Sequence, residues 1–277
     1  MHKQLIHFLV IYMPINHNRY AEYTGQAIVS FVYDDGSQNH LDVVVPMHLE
    51  NGFPLTLVLV GRYVTGVASV PSDEDELTER GKGFLNAQRY GVRYGCHSWT
   101  HGNMLTNKQS KIIIDRDLIT TKSYLERLGF HINTFIPPYN AWDGDLARRA
   151  ESAGYTAVAT AGGTHNNVPL QSNKYSLGGQ FFLQRIGGDA SVTGESVIAK
   201  IETAIAQKGW LIISLHEILE SGATGANWNK SELVKVFNYL KTKTKNEILV
   251  EDFGLALRFI TGLGDYINFS DPKDFII

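Results

Sequence analysis

Residues 27–36, AIVSFVYDDG, contain the pattern that decides the fold of this chain. The apolar run 27–32 has the length and composition of a buried β-strand. Asp34, Asp35 and a glycine follow it at once, so the strand is expected to end in a polar turn. A buried strand with polar groups at its carboxyl end is typical of a parallel α/β sheet.

Further apolar runs rich in β-branched and aromatic residues resemble this strand, and stretches of helical periodicity separate them. The predicted strands are 27–32, 55–60, 92–96, 134–136, 156–159, 181–186, 211–215 and 248–250. The predicted helices are 73–89, 108–128, 143–153, 195–207, 230–241 and 253–260. About eight strand–helix units with short connections predict a closed or nearly closed parallel barrel, and an open doubly wound sheet is the alternative.

The chain of 277 residues has no shift of composition, no linker and no internal repeat, which predicts one domain. We place this domain at residues 26–277, after an N-terminal extension at residues 1–25. The apolar run 5–13 is broken by His7 and lacks a small-residue cleavage signal, so no clear signal peptide is indicated. No segment approaches the roughly 20 apolar residues that a membrane span requires.

The charge balance argues against two classes of partner. Lysines and arginines number 25 against 28 acidic residues, for a net charge of −3. Because the chain has no long basic block, its charge does not favour binding to nucleic acid or to an anionic membrane. The single cysteine excludes an internal disulfide framework and leaves the compartment undetermined.

Asp34 and Asp35 lie where a parallel barrel gathers its functional groups, at the carboxyl end of a strand. Burial and mutual repulsion would give two adjacent carboxylates different roles, one binding a cation and the other accepting a proton. A solvated Asp-Gly turn is the alternative, and for this fragment alone it is the commoner case.

His97 and His101 are spaced i, i+4, which on one helical turn would bring the imidazoles about 5–6 Å apart, close enough to chelate one metal. With a carboxylate they would form a facial set that leaves positions open for water and substrate. Alternatively, the two histidines do not share a metal, and one lies at the surface and the other in the core. His216 follows the apolar run 211–215 and supplies a titratable group at the same barrel end, unless it is a hydrogen-bonded structural histidine.

The order of these residues resembles the polysaccharide deacetylases, the NodB-homology domain of carbohydrate esterase family 4. The motifs are Tyr33-Asp34-Asp35-Gly36, His97-Ser98-x-x-His101, Pro137-Pro138-Tyr139 and Leu215-His216. The resemblance covers roughly residues 26–217. It implies a distorted (β/α)7–8 barrel of the α/β class as a single domain, with one divalent metal ion, usually Zn2+, bound by Asp35, His97 and His101.

The resemblance also implies catalytic roles. Asp34 would be the general base on the attacking water and His216 the general acid, while the backbone N–H of Tyr139 would hold the oxyanion. The expected activity is removal of acetyl groups from a polysaccharide, with N-acetylglucosamine residues as substrate. Such a substrate suggests an extracellular, cell-envelope or virion location, and the oligomeric state stays undetermined.

Several side chains near these loops are candidates for substrate binding. Pro138 and Tyr139 belong to the third motif and Trp142 follows it. Aromatic rings can stack on the apolar C–H faces of sugars, which makes Trp99 and Trp228 candidates as well. Packing between barrel and helices is the alternative for each aromatic residue.

One departure from the family pattern concerns the base. The family commonly has an arginine at the position of Ile136, and that arginine orients the base aspartate. Arg185, at the end of the predicted strand 181–186, is expected to reach Asp34 instead, because a guanidinium can hold a carboxylate through two hydrogen bonds. A surface ion pair is the alternative for Arg185. The departure leaves two other functions open, an inactive carbohydrate-binding relative and a hydrolase of small non-sugar amides.

Overall fold

Seven parallel strands close into a barrel in the computed structural model, which describes residues 23–67, 77–105, 110–161, 168–169 and 183–261. Neighbouring strands follow the order β1-β2-β3-β4-β5-β7-β8, and β8 pairs again with β1. These strands are β1 Ala27–Tyr33, β2 Thr56–Leu59, β3 Arg93–Cys96, β4 Ile132–Phe135, β5 Ala157–Ala161, β7 Leu183–Gly187 and β8 Gly209–Leu215. The short β6, Val168–Pro169, lies antiparallel to β8. The prediction of a single-domain α/β barrel is confirmed.

The last predicted strand explains why the barrel is distorted. β11, Ile248–Val250, pairs with residues 27–29 of β1, whereas β2 pairs with residues 32–33 of the same strand. Since β8 covers the opposite edge of β1, β11 and β2 share the remaining edge. The barrel therefore closes with seven strands, and β11 fills the gap between β1 and β2 at their amino-terminal ends.

Helices surround this barrel, and four of those described begin at a residue whose side chain caps them. Thr78, Ser110, Asp143 and Thr193 each accept a hydrogen bond from the backbone N–H three residues later. The helices are α1 Val45–Asn51, α2 Gly61–Thr65, α3 Glu79–Gln88, α4 Lys111–Arg127, α5 Gly144–Ser152, α6 Gly194–Gln207, α7 Lys230–Lys241 and α8 Phe253–Thr261. A π-helical turn, His40–Val44, leads into α1, and a 3-10 turn, Pro138–Asn140, follows β4. Two further short strands, β9 Ile218–Leu219 and β10 Trp228–Asn229, pair with each other.

Two of the predicted helices were placed too early. Residues 77 and 78 are not helical and α3 begins at Glu79, while residues 73–76 lie outside the described part. The helix predicted from residue 108 begins at Lys111, because the Ser110 side chain caps it. None of the described helices is both long and apolar enough to cross a membrane.

Alternation along β1 divides the core into two layers. Ile28 and Val32 belong to the cluster that fills the barrel, and Phe31 and Tyr33 to the cluster between barrel and helices. Because successive side chains of a strand point to opposite faces, the residue after Tyr33 continues the inward series. This periodicity directs Asp34 into the mouth of the barrel.

The proposed limits of the domain remain a prediction. Tyr23 stacks on Phe259 of α8 with ring centroids 4.9 Å apart, so the described chain is packed from its first residue. Residues 1–22 and 262–277, and with them most of the predicted extension 1–25, lie outside the described residues.

Candidate metal centre

Asp35, His97 and His101 converge at the carboxyl ends of β1 and β3. Asp35 Oδ1 lies 3.4 Å from His97 Nε2 and 3.1 Å from His101 Nε2. One ligand atom from each of the three residues lies within 4.8 Å of the other two. A carboxylate and two imidazoles grouped in this way form a donor set suited to a divalent transition metal, with positions left for other ligands.

A hydrogen bond behind the site determines which nitrogen of His97 is available. His97 Nδ1 lies 2.6 Å from the carbonyl oxygen of Ile136. Since a carbonyl only accepts, Nδ1 carries the proton and Nε2 presents its lone pair to Asp35. Burial lowers the pKa of His97, although Asp34 and Asp35 oppose this shift, so the neutral ring that a metal requires is favoured.

The donor atoms fit a cation better than they fit one another. Asp35 Oδ1 is buried and has no hydrogen-bond partner. Burial raises the pKa of Asp35, but the adjacent His101 lowers it by more, so the carboxyl is ionised. A lone pair on His97 Nε2 facing a carboxylate oxygen is repulsive without a positive charge between them. The residues present therefore fit a bound metal ion.

The loops around the site, which follow β1, β3 and β4, have unusual backbone conformations. Among the described residues, six non-glycine residues have positive φ, and five of them lie in these loops. They are Asp35, Ser98, His101, Tyr139 and Asn140, with φ between 54° and 84°. Such conformations are costly for most residues and concentrate at functional sites, where the surrounding structure holds them.

The expected helical turn from His97 to His101 is wrong. Residues 97–105 contain no helix, and positive φ at Ser98 (63°) and His101 (59°) bends the chain back. The His101 N–H donates to Ser98 Oγ at 3.0 Å, which stabilises this bend. The centroids of the two rings are still 5.0 Å apart. A tight loop, like a helix, can bring side chains four positions apart in sequence close together.

Asp34 is buried in a bidentate ion pair with Arg185. Arg185 Nη1 and Nη2 donate to Asp34 Oδ1 and Oδ2 at 2.7 and 2.9 Å, and the exposed fractions of the two residues are 1% and 3%. Leu183 belongs to the cluster inside the barrel, so Arg185, two residues later on β7, also points inward. The predicted contact is therefore present, 151 residues apart in sequence.

The ion pair keeps Asp34 ionised. Burial by itself raises the pKa of this carboxyl, but the charge of Arg185 lowers it to about 2. Asn140 Oδ1 accepts a further bond from Arg185 Nη2 at 3.2 Å, and Ser214 Oγ lies 3.5 Å from Asp34 Oδ2. Ser214 was not among the predicted site residues, although its place near the end of β8 was an available signal.

His216 follows β8 and lies at the same barrel mouth. It is half-buried and belongs to the electrostatic surroundings of both Asp34 and Asp35. Tyr139 is 64% exposed and lies against His101, with centroids 4.9 Å apart. The predicted catalytic residues are thus grouped around the three ligands, and their roles stay predictions.

The candidates for substrate binding differ in exposure. Tyr139 is open to solvent and Trp142 is half-buried against the core, whereas the side chain of Pro138 is buried. Trp99 and Trp228 are buried, and their Nε1 groups donate to backbone carbonyls at 3.2 and 2.7 Å. Stacking of Trp99 or Trp228 on a sugar is therefore wrong, because both rings are occupied by packing.

The comparisons with known proteins agree with this arrangement. The sequence profile described as "Polysaccharide deacetylase" matches residues 21–158, which include Asp34, Asp35, His97 and His101. No curated protein sequence matches the chain.

Solved structures show the same fold at low identity. The CE4 domain of a multidomain xylanase from the hindgut metagenome of Trinervitermes trinervoides has a TM-score of 0.54 and 16% identity, over 84% of this chain and 91% of that one. A family 4 carbohydrate esterase from Streptomyces lividans, solved with acetate, has a TM-score of 0.50 and 13% identity, over 83% and 94%. A CE4 family pseudoenzyme from Bacillus anthracis has a TM-score of 0.50 and 14% identity, over 83% and 65%.

Identities this low establish the shared barrel alone, and the matched profile carries the assignment to a family. This match shows that the chain belongs to the polysaccharide deacetylase family.

Proposed function

We propose that this protein is a metal-dependent hydrolase that removes acetyl groups from a polysaccharide, with N-acetylglucosamine residues as the substrate. Asp35, His97 and His101 would hold one divalent ion, for which zinc is the expected metal. The observation that supports this proposal most is the buried ion pair of Asp34 with Arg185 directly beside the three ligands. A substrate of this class would place the protein outside the cell, in the cell envelope or on a virion.

The bound ion would supply Lewis acidity, which acidifies water and polarises the acetyl carbonyl. Asp34 is ionised and oriented by Arg185, so it can accept the proton of the attacking water as the new C–O bond forms. The N–H of Tyr139 would donate to the oxyanion. His216 would protonate the amine nitrogen as the C–N bond breaks, which leaves acetate and a free amine.

The contact of Arg185 with Asp34 argues against an inactive relative. Ile136 removes the arginine with which the family commonly orients the base, and an unsupported carboxylate buried in the barrel mouth would be driven towards its neutral form. Here the guanidinium comes from β7 and contacts both carboxylate oxygens of Asp34. The base therefore keeps both its charge and its orientation.

The decisive experiment combines metal content with acetate release. The purified protein is loaded with zinc and incubated with peptidoglycan, chitin oligomers and acetylated xylan. Acetate from an N-acetylated polymer, lost on chelation and restored by metal, would support the proposal. Stoichiometric metal without acetate would favour the inactive relative, and turnover of small N-acyl compounds alone would favour the amide hydrolase.

A further inference from the structure

The chain that follows β8 is held by side chains from the loop after β1. Asn39 Nδ2 donates to the carbonyl oxygen of Ile218 at 2.9 Å, and the Ile218 N–H donates to Asn39 Oδ1 at 2.9 Å. His40 Nε2 lies 3.2 Å from the carbonyl oxygen of His216. Residues 39 and 40 therefore contact the backbone on both sides of Glu217.

Asn39 acts on Ile218 as a neighbouring strand would. In an antiparallel ladder, two opposed residues exchange both of their backbone hydrogen bonds. The amide of Asn39 supplies the same donor and acceptor from a side chain, so Ile218 is held at two points. The intervening Glu217 is held from the opposite direction, because its carbonyl accepts from the Trp228 N–H at 3.0 Å.

His40 is a neutral and fully enclosed donor. Its exposed fraction is 0%, and it begins the π-helical turn that leads into α1. Since the His216 carbonyl only accepts, Nε2 carries the proton, and Nδ1 is buried without a hydrogen-bond partner. Burial lowers the pKa of His40 to about 4, so this donor does not change its charge near neutral pH. A buried imidazole nitrogen without a hydrogen-bond partner lowers the stability of the fold.

The imidazole of His216 itself lacks such support. Within the described part of the chain, no side chain makes a hydrogen bond to this ring, and its direction depends on the backbone that carries it. Side chains that act in proton transfer need a partner that orients them, because a displacement of about 1 Å can lower a rate by roughly 100-fold.

We propose that Asn39 and His40 are positioning residues for His216, which they aim at the leaving group by fixing the backbone of residues 216–218. This inference rests on the proposed function, in which His216 is the general acid. The segment after Gly36 would then orient His216, whereas Asp34 and Asp35 just before it supply the base and a metal ligand.

The test separates positioning from general loss of structure by the choice of leaving group. An N-acetyl substrate expels an amine that must be protonated, whereas p-nitrophenyl acetate expels a phenolate that needs no acid. His40→Phe keeps the ring volume and removes the donor, and His40→Gln restores a donor at a similar reach. His48→Phe is the matched control, since His48 is equally buried but bonds to Tyr33 and the Phe53 carbonyl.

We expect His40→Phe and Asn39→Ala to lower kcat on chitin oligomers by about 10- to 100-fold with little change in KM. Metal content and the rate on p-nitrophenyl acetate should stay within about twofold of the starting protein. His40→Gln should recover most of kcat. Equal losses on both substrates, no loss at all, or the same selective loss in His48→Phe would overturn the inference.

Amide hydrogen exchange at Ile218 tests the anchor without any turnover. Asn39→Ala should accelerate this exchange, because the N–H loses its acceptor. If the starting protein releases no acetate but Asn39→Ala accelerates exchange at Ile218, the proposed function is wrong and the anchoring of Ile218 by Asn39 is confirmed. Unchanged exchange in Asn39→Ala would refute the anchor whatever the activity.

Discussion

Replacement of Arg185 by methionine tests the role of the buried ion pair most directly. The substitution leaves Asp34 in the barrel mouth, 3% exposed, without the guanidinium that contacts both of its oxygens. Removing one partner of a buried pair typically lowers the free energy of unfolding by about 3–5 kcal/mol, since the other charge is left uncompensated. The lowering of the Asp34 pKa from 3.8 to about 2 is consistent with a contribution of roughly 2–3 kcal/mol at neutral pH.

The sign of the pH dependence follows from the lowered pKa. A carboxyl whose pKa is lower in the folded state than in the unfolded state stabilises the fold at pH values above its pKa in the unfolded chain. That contribution disappears as the pH falls from about 4 towards 2. The difference between the starting protein and Arg185→Met should therefore be largest at neutral pH and shrink as the pH falls towards 2.

The assay is urea denaturation of the metal-free proteins at pH 7 and at lower pH, together with acetate release by the zinc-loaded proteins. We expect Arg185→Met to bind metal normally and to lose at least about 100-fold in turnover, since the base loses its orientation. Arg149→Met is the control, because Arg149 pairs with Asp115 and Asp145 at the surface, and this change should leave turnover intact. Near-normal turnover of Arg185→Met, or an equal loss of stability at all pH values, would refute the reasoning.

Three other substitutions probe the site and the fold. Asp34→Asn should retain zinc, because Asp34 is not one of the three ligands, and lose about 10²- to 10⁴-fold in turnover; substantial acetate release would assign the base elsewhere. The double change of His97 and His101 to alanine should abolish zinc binding measured by elemental analysis, and stoichiometric zinc in that protein would contradict the ligand assignment. Thr193→Ala removes the side-chain cap of α6 and should lower the free energy of unfolding by about 1 kcal/mol, with no effect on turnover. An unchanged denaturation midpoint would show that this cap is dispensable.

The segment after the first motif shows where local patterns fail. Residues 40–51 form the π-helical turn and α1, although no helix was predicted there. The run 43–45 is Val-Val-Val, and β-branched residues favour extended structure by themselves. Burial of Leu41 and Val44 against the barrel outweighs this preference.

The sequence by itself predicted the alternation of strands and helices, and its motifs indicated Asp35, His97 and His101 as candidate ligands. These features depend on residue types and spacings within a few positions, and a strand displays them whatever its neighbours are. The choice of Arg185 as a partner for Asp34 was a hypothesis until β7 and β1 were placed around the same barrel.

Only the tertiary structure decided the contacts between distant strands and loops. It supplied the Ile136 carbonyl that fixes the proton of His97, and it enclosed Trp99 and Trp228 in packing. It also divided one edge of β1 between β2 and β11. Each of these features depends on the register in which the strands close the barrel, and that register is set by the packing of all the strands and helices together rather than by any short stretch of sequence.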